Sequence, residues 1–350
     1  IDRVRRRPVL VITDIGRAVL LVAIPLLAIT GRLSITTLVI FMVIFGLFSL
    51  LHDAGSQSFL PRLVPRSLLP AANARLDQAG AVIQTSGPAL AGLLVKIISA
   101  PWAVLVDAAS YVASALLMIT SPVPEPAAGA ITARQVLRDA REGVRWFYRH
   151  PMLAPLAINT NAWFVCNAAA GAVLTPYAVR TLGFGSLTFG LAMAAAGVGS
   201  LIGALSAVRL GNAVGPGWAV IGCRGFDAVG WAIVALSPAA GWLGWFSFGL
   251  GQFVIGLGMG ASNTHEMGYR QMVTPDQLQG RINAIGRSTN RAMIVIGAPL
   301  GGFLGEAAGY RPLLWGCVAG FTVVAITLGL SRFRRARYED THAVLSDGPV

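Results

Sequence analysis

Lysine occurs once in this chain, at Lys96, and acidic residues number 15 against 27 basic ones. Charged residues together make up 12% of the sequence, about half the share that a soluble domain carries. With 55% hydrophobic residues and a mean hydropathy of +0.67, there is too little polar side chain to cover a water-soluble core. The chain is assigned to the membrane class on these grounds before any motif is considered. Cysteine is equally scarce: Cys166, Cys223 and Cys317 lie in separate apolar runs with no CxxC or Cys/His spacing, which excludes a disulfide framework and a zinc site. His52, His150, His265 and His342 are scattered in the same way, so no metal is expected. GxSxG, HExxH and Walker patterns are missing, which argues against an enzyme, and no cofactor is implied. The net charge of +12 does not indicate nucleic-acid binding, because no basic face is interleaved with aromatics for base stacking.

Long apolar runs are what the chain does have. A helix needs about 20 apolar residues to span the hydrocarbon core. Ten segments qualify, near residues 9–29, 35–51, 78–98, 102–120, 152–175, 186–208, 217–237, 242–262, 283–305 and 313–330. Alternating their connections sorts the basic residues into two groups. One group holds Arg32, Lys96, Arg180 and Arg311; the other holds twenty arginines, among them Arg3, Arg62, Arg138, Arg270 and Arg334. That asymmetry puts both ends of the chain on the cytoplasmic side. Residues 121–150 open with SPVPEP and continue as an arginine-rich stretch in which Val136, Ala140, Val144 and Phe147 recur at helical spacing. This reads as a cytoplasmic linker carrying an amphipathic helix, lying on the membrane surface or serving as a soluble connection.

The stretch 64–94 returns at a constant offset of 210 as 274–304: Pro65, Asn73, Gly87, Leu90 and Gly92 meet Pro275, Asn283, Gly297, Leu300 and Gly302. Such a repeat points to a duplicated bundle. The expected organisation is a first half-bundle over residues 1–120, the linker 121–150, a six-helix half over 151–331 and a cytoplasmic tail 332–350. Carrying the offset back from Met152 places the start of the first half about sixty residues before Ile1, enough for two more spans. The expectation is therefore an N-terminally incomplete twelve-helix protein. A signal peptide over the opening arginines is the competing reading, weakened by Asp14 and Arg17 and by the lack of a clear A-x-A site.

Two motifs carry a resemblance to a known family. GPALAG at residues 87–92 is similar to the antiporter motif GPxxGG of the major facilitator superfamily, with Ala91 in place of its first closing glycine. DRVRRR at residues 2–7 resembles the end of the family's cytoplasmic signature DRxGRR, with Arg5 where that signature has glycine. Within the superfamily the whole chain resembles the branch of bacterial enterobactin exporters and drug-efflux proteins. The resemblance implies an all-α integral membrane bundle, with about ten of twelve transmembrane helices present in two pseudo-symmetric halves. It also implies export of a small amphipathic molecule (drug, siderophore or other secondary metabolite) by proton-coupled antiport, from a monomer in the bacterial inner membrane. Its partners would be that cargo, protons and the lipid bilayer. A nutrient importer of the same fold, or a non-transporting receptor or scaffold, are the alternatives.

By the same resemblance Asp2, Arg3, Gly87, Pro88 and Gly92 would gate the transporter, although a kink that serves packing alone is the other reading of Gly87. The pairs Gly199/Gly203, Gly256/Gly260 and Gly301/Gly305 read as helix packing. Asn159, Trp163 and Asn167 recur at i, i+4 and i+8, so they share a face that would line the substrate cavity, with Gln84, Gln252 and Asn290 adding polar contacts. Hydrogen bonding between helices is the equal alternative for each. Ionisable groups in apolar segments default to functional hypotheses. Asp14/Arg17 and Arg224/Asp227, each one turn apart, read as structural ion pairs, and Asp107, Arg291 and Glu306 as coupling candidates. Many proton-coupled members carry an arginine in the fourth helix, whereas residues 35–51 hold no charge.

Overall fold

The computed structural model describes residues 6–63, 69–120, 133–239 and 241–337, and all regular structure among them is helical. The helices are α1 (Arg6–Ile29), α2 (Ile35–Leu63), α3 (Leu69–Ile98), α4 (Ala100–Thr120), α5 (Ala133–Arg149), α6 (Leu153–Pro176), α7 (Ser186–Leu236), α8 (Trp242–Val273), α9 (Asp276–Ala308) and α10 (Tyr310–Leu330). A π-helical turn follows α6 at Tyr177–Thr181, and a 3₁₀ turn, Arg332–Arg335, follows α10. Asp2, Arg3, residues 121–132 and residues 338–350 lie outside the described residues.

At 51 residues α7 is too long for one span. It breaks at Gly215, whose φ of 77° and ψ of 160° are not helical, immediately before Pro216. Proline lacks the N–H that would continue the ladder and glycine tolerates the positive φ, so the pair makes a stop and a restart. Divided there, the described residues hold ten span-length helices besides α5. Several exceed the spans read from hydropathy: α8 runs on to Val273 and α9 begins at Asp276, because hydropathy marks the apolar stretch and not the polar turns that project beyond it.

The offset of 210 governs the backbone as well as the sequence. Subtracting it from α10, Tyr310–Leu330, gives 100–120, the bounds of α4, and from the end of α9 gives 98, the end of α3. The turn between these helices repeats too. Gly309 has φ 92°, and its counterpart Ser99 has φ 65°, the one left-handed non-glycine among the described residues.

The chain divides into two compact units, Ile1–Val82 with Ala91–Gln135, and Ile83–Leu90 with Val136–Val350. In the first, α1 packs on α2 and α4. In the second, the main seams are α7 on α8 and α6 on α9. Both are closed by glycine. A methyl group at Gly199 or Gly203 would overlap the carbonyl oxygen of Phe253 or Leu257, and one at Gly256 or Gly260 would overlap that of Ala196 or Ser200. On the other seam Gly297 and Gly301 lie against the Val165 and Ala169 carbonyls. Apolar side chains gain little from leaving lipid for protein, so backbone approach through small residues is how such helices gain contact. The aromatic cluster of Trp163, Trp231, Phe248 and Phe321 fills the interior that remains.

The amphipathic helix α5 docks on this unit. Phe147 is buried beside Leu153 and Tyr269, Gly143 lies against Ile285, and Glu142 pairs with Arg281 at 3.2 Å. Ala140 and Val144, expected on the same apolar face, are exposed. The inward face is the one led by Gly143 and Phe147.

Two substitutions check this account. Ser99→Gly removes left-handed strain and is expected to stabilise the protein by about 1 kcal/mol in a detergent melt. Gly256→Leu is expected to cost about 3 kcal/mol or more by overpacking, whereas Gly249→Leu, at a site with nothing within 4 Å, leaves the melt unchanged. Equal melts for the two leucine variants would contradict the seam.

Candidate substrate cavity

Both units bury a charged pair at matching positions of the repeat with the signs exchanged: Asp14 and Arg17 in α1 become Arg224 and Asp227 in α7. All four are at most 6% exposed. The cost of taking an ion out of water is several kcal/mol unless partners replace the hydration.

In the first unit the two charges bond each other, and Arg17 Nε, like Arg224 Nε, has no partner among the described side chains. Arg17 bonds Asp14, whose other oxygen accepts from Ser114 of α4 at 2.7 Å, and His52 Nδ1 of α2 lies 3.2 Å from the same carboxylate. The Arg17 guanidinium stacks 4.3 Å from the Tyr111 ring centroid. Three helices are thereby tied at one point.

In the second unit the partners separate. Arg224 turns to Glu266 of α8 and donates to Thr160 of α6 at 3.2 Å, with its guanidinium 5.0 Å from the Trp163 ring centroid. Glu266 also accepts from Thr160 at 3.1 Å and from Ser262 at 3.0 Å. Asp227 accepts the indole Nε1–H of Trp163 at 2.7 Å. Arg224 Nε and Asp227 Oδ1 retain bonding capacity that no described side chain takes up. This network forms one wall of a cavity of about 310 Å³ reached by Thr160, Trp163, Asn167, Arg224, Ser262 and Glu266, with Phe164 and Met259 as apolar wall. The volume is that of a small-molecule site. Helical spacing explains the convergence: Thr160, Trp163 and Asn167 fall at i, i+3 and i+7 of α6, and Ser262 and Glu266 at i and i+4 of α8.

The residues expected from sequence meet this cavity unevenly. Trp163 and Asn167 line it. Asn159 does not: its side-chain amide donates to the Val324 carbonyl at 2.6 Å and to Thr327 at 3.2 Å, stitching α6 to α10. Helical drift explains the loss, since i, i+4 and i+8 turn about 40° per step around the axis. Gln252 is buried in α8 apart from the lining residues, and Asn290 borders a narrow crevice on the far side of Thr160 and Glu266. The Gln84 side chain lies outside the described residues. Asp107, Arg291 and Glu306 stand on exposed faces of α4 and α9, none of them among the cavity residues. Pro88 lies inside α3, Gly92 is buried, and a methyl at Gly87 would meet only Ile83 of its own helix, 3.9 Å away.

Glu266, Thr160 and Ser262, and Ser200 of α7, which also lines the cavity, are absent from the sequence-derived set. Glu266 was legible in principle as a carboxylate one turn beyond an apolar run. It falls outside a span that ends at residue 262 and inside a helix that ends at Val273. Among the described residues no three His, Cys, Asp or Glu side chains converge to hold a metal ion.

A family model described as transmembrane secretion effector matches residues 1–347. The chain is 28% identical over 263 residues to an uncharacterized MFS-type transporter, y4rN, of Sinorhizobium fredii, covering 74% of this chain and 63% of that protein. It is 26% identical over 296 residues to the enterobactin exporter EntS of Salmonella typhimurium, covering 81% of this chain and 66% of that protein. It thus spans just under two thirds of the length of these curated relatives. Among solved structures it superposes on a bacterial homologue of the iron transporter ferroportin with a TM-score of 0.66 at 18% identity, covering 94% of this chain and 83% of that one. The fucose:proton symporter of E. coli gives 0.53 at 15% identity, covering 95% and 85%. Identities this low speak for the fold alone.

Removing the indole donor tests the cavity wall. Trp163→Phe leaves Asp227 without the hydrogen bond that shares its charge, and is expected to cost about 2 kcal/mol in a detergent melt. Combined with Asp227→Leu the loss should be well short of the sum of the two single losses; simple additivity would contradict the contact.

Proposed function

This chain belongs to the transmembrane secretion effector family, within the major facilitator superfamily of membrane transporters, and we propose from that premise that it exports a small amphipathic molecule by proton-coupled antiport. The observation that carries the reading is the pair of buried Arg224 and partly buried Glu266 on the wall of a cavity large enough for a small molecule. A carboxylate held by an arginine inside an apolar bundle is a site for which a proton and a cargo can compete. Hydroxyl or ammonium groups of the cargo would bond deprotonated Glu266, and protonation of Glu266 would release them. Phe164 and Met259 would receive its apolar body, and Asn167 and Ser262 would orient it. In this reading Glu266 takes the coupling role from the cavity wall, while Asp107, Arg291 and Glu306 stand on exposed faces outside it.

Alternating access, with the two bundles moving as bodies, would carry the site from one side of the membrane to the other. The resemblance of GPALAG to the antiporter motif and the similarity to an enterobactin exporter support the outward direction. The arginine asymmetry supports an inner-membrane orientation with both ends of the chain cytoplasmic. Siderophores, drugs and other secondary metabolites are the cargo class that joins apolar rings to hydrogen-bond donors.

Transport by inside-out vesicles tests the proposal. Vesicles carrying the protein together with whatever chain precedes it should accumulate a fluorescent amphipathic amine when the lumen is acidified, and collapse of the pH gradient should release it. Glu266→Gln should bring this uphill accumulation to the level of empty vesicles while the protein inserts normally. Uphill transport at the wild-type rate by Glu266→Gln would overturn the coupling role.

A further inference from the structure

The break in α7 separates two span-length segments, so it lies where the helix leaves the membrane, and there the second unit carries a feature that shares no residue with the cavity. Gly217 passes directly under the 3₁₀ turn that follows α10: a methyl on it would overlap the Phe333 carbonyl oxygen. Phe333 is fully buried with its ring 5.5 Å from that of Tyr269, edge to face, and Ala336 is buried beside it. These two anchors point inward, and the intervening Arg334 and Arg335, with Arg337 just beyond, are exposed. The three arginines rim a hollow of about 900 Å³ whose other lining residues include Asn212, Gly215 and Trp218, with no acid among the described ones.

The hollow continues into an apolar groove. Val214 and Trp218 belong to both, and from there a channel of about 590 Å³ runs along α7 past Leu210, Ala219, Gly222 and Phe226. From Trp218 to Phe226 the helix advances about 12 Å, the length of the upper part of an acyl chain. Trp218 is 54% exposed between the basic and the apolar parts, as an indole at the membrane interface is. A loop that merely obeys positive-inside topology needs neither pinned arginines nor an apolar continuation.

We propose that this composite site binds an anionic phospholipid, with its phosphate between Arg334 and Arg335 and one acyl chain in the groove beside Trp218 and Gly222. Charge complementarity selects the headgroup, since basic residues at an interface attract anionic lipid and the described part of the rim is basic and uncharged residues only. The groove selects a lipid over a soluble phosphate. Binding would hold the restart of α7 against the end of α10.

The purified full chain in detergent is titrated with phosphatidylglycerol, with phosphatidylcholine of the same chains and with glycerol phosphate, and bound lipid is read by native mass spectrometry. Phosphatidylglycerol should be retained and phosphatidylcholine not. The double change Arg334→Gln and Arg335→Gln should weaken retention roughly fivefold per arginine. Gly222→Phe places a ring in the groove at a site with nothing within 4 Å and leaves the charge intact. It should also release phosphatidylglycerol, which distinguishes a lipid site from an anion site. Equal retention of the two lipids, or wild-type retention by Gly222→Phe with competition by glycerol phosphate, would overturn the proposal. So would a several-fold rise in lipid uptake on deleting residues 338–350, since Glu339 and Asp340 would then be the occupants.

Discussion

An arginine buried among apolar helices has to be neutralised where it stands, and much of the second unit is arranged around that requirement. Arg224 is answered by a carboxylate from α8, a hydroxyl from α6 and the face of an indole, so three helices converge on one guanidinium. The same indole answers Asp227. Neither Arg224 nor Glu266 could be removed alone without stranding the other in a medium of low dielectric, where a lone ion costs several kcal/mol. The cavity is the space these groups leave on one side.

Glycine makes that convergence possible. Polar groups on different helices meet only if the backbones are close, and at the α7–α8 seam the glycines of one helix lie against carbonyls of the other in alternation. Gly260 sits two residues from Ser262 and six from Glu266, so the seam that brings α8 against α7 also sets the depth at which Glu266 reaches Arg224. Packing and site are one arrangement seen at two residue types.

How much of this was legible without coordinates differs by feature. Helix number, the amphipathic connection and the duplication follow from hydropathy and the offset of 210, and the matching bounds of α4 and α10 show how far the duplication reaches into the backbone. The buried charges at Asp14, Arg17, Arg224 and Asp227 were legible as well, but their pairing was not. An ion pair at i and i+3 is the natural reading of a single helix; it holds for Asp14 and Arg17 and fails for Arg224, where a long-range partner is better placed. Asn159 shows the complementary limit: sequence spacing assigns a face of α6, whereas α10, packed beside it, decides which part of that face is cavity. Glu266 escaped because hydropathy ends a span where polarity begins, and the helix carries on.

The inverted charge order of the two copies suits a division of roles. The first copy closes its cluster on itself, and the second opens its own to a cavity. A double-mutant cycle on Arg224→Met and Glu266→Met, with stability measured in detergent, tests this dependence most directly. Each single change should cost about 3 to 5 kcal/mol by leaving a buried charge unpaired, while the double change should recover most of that loss. Single losses below about 1 kcal/mol that simply add in the double variant would contradict the account.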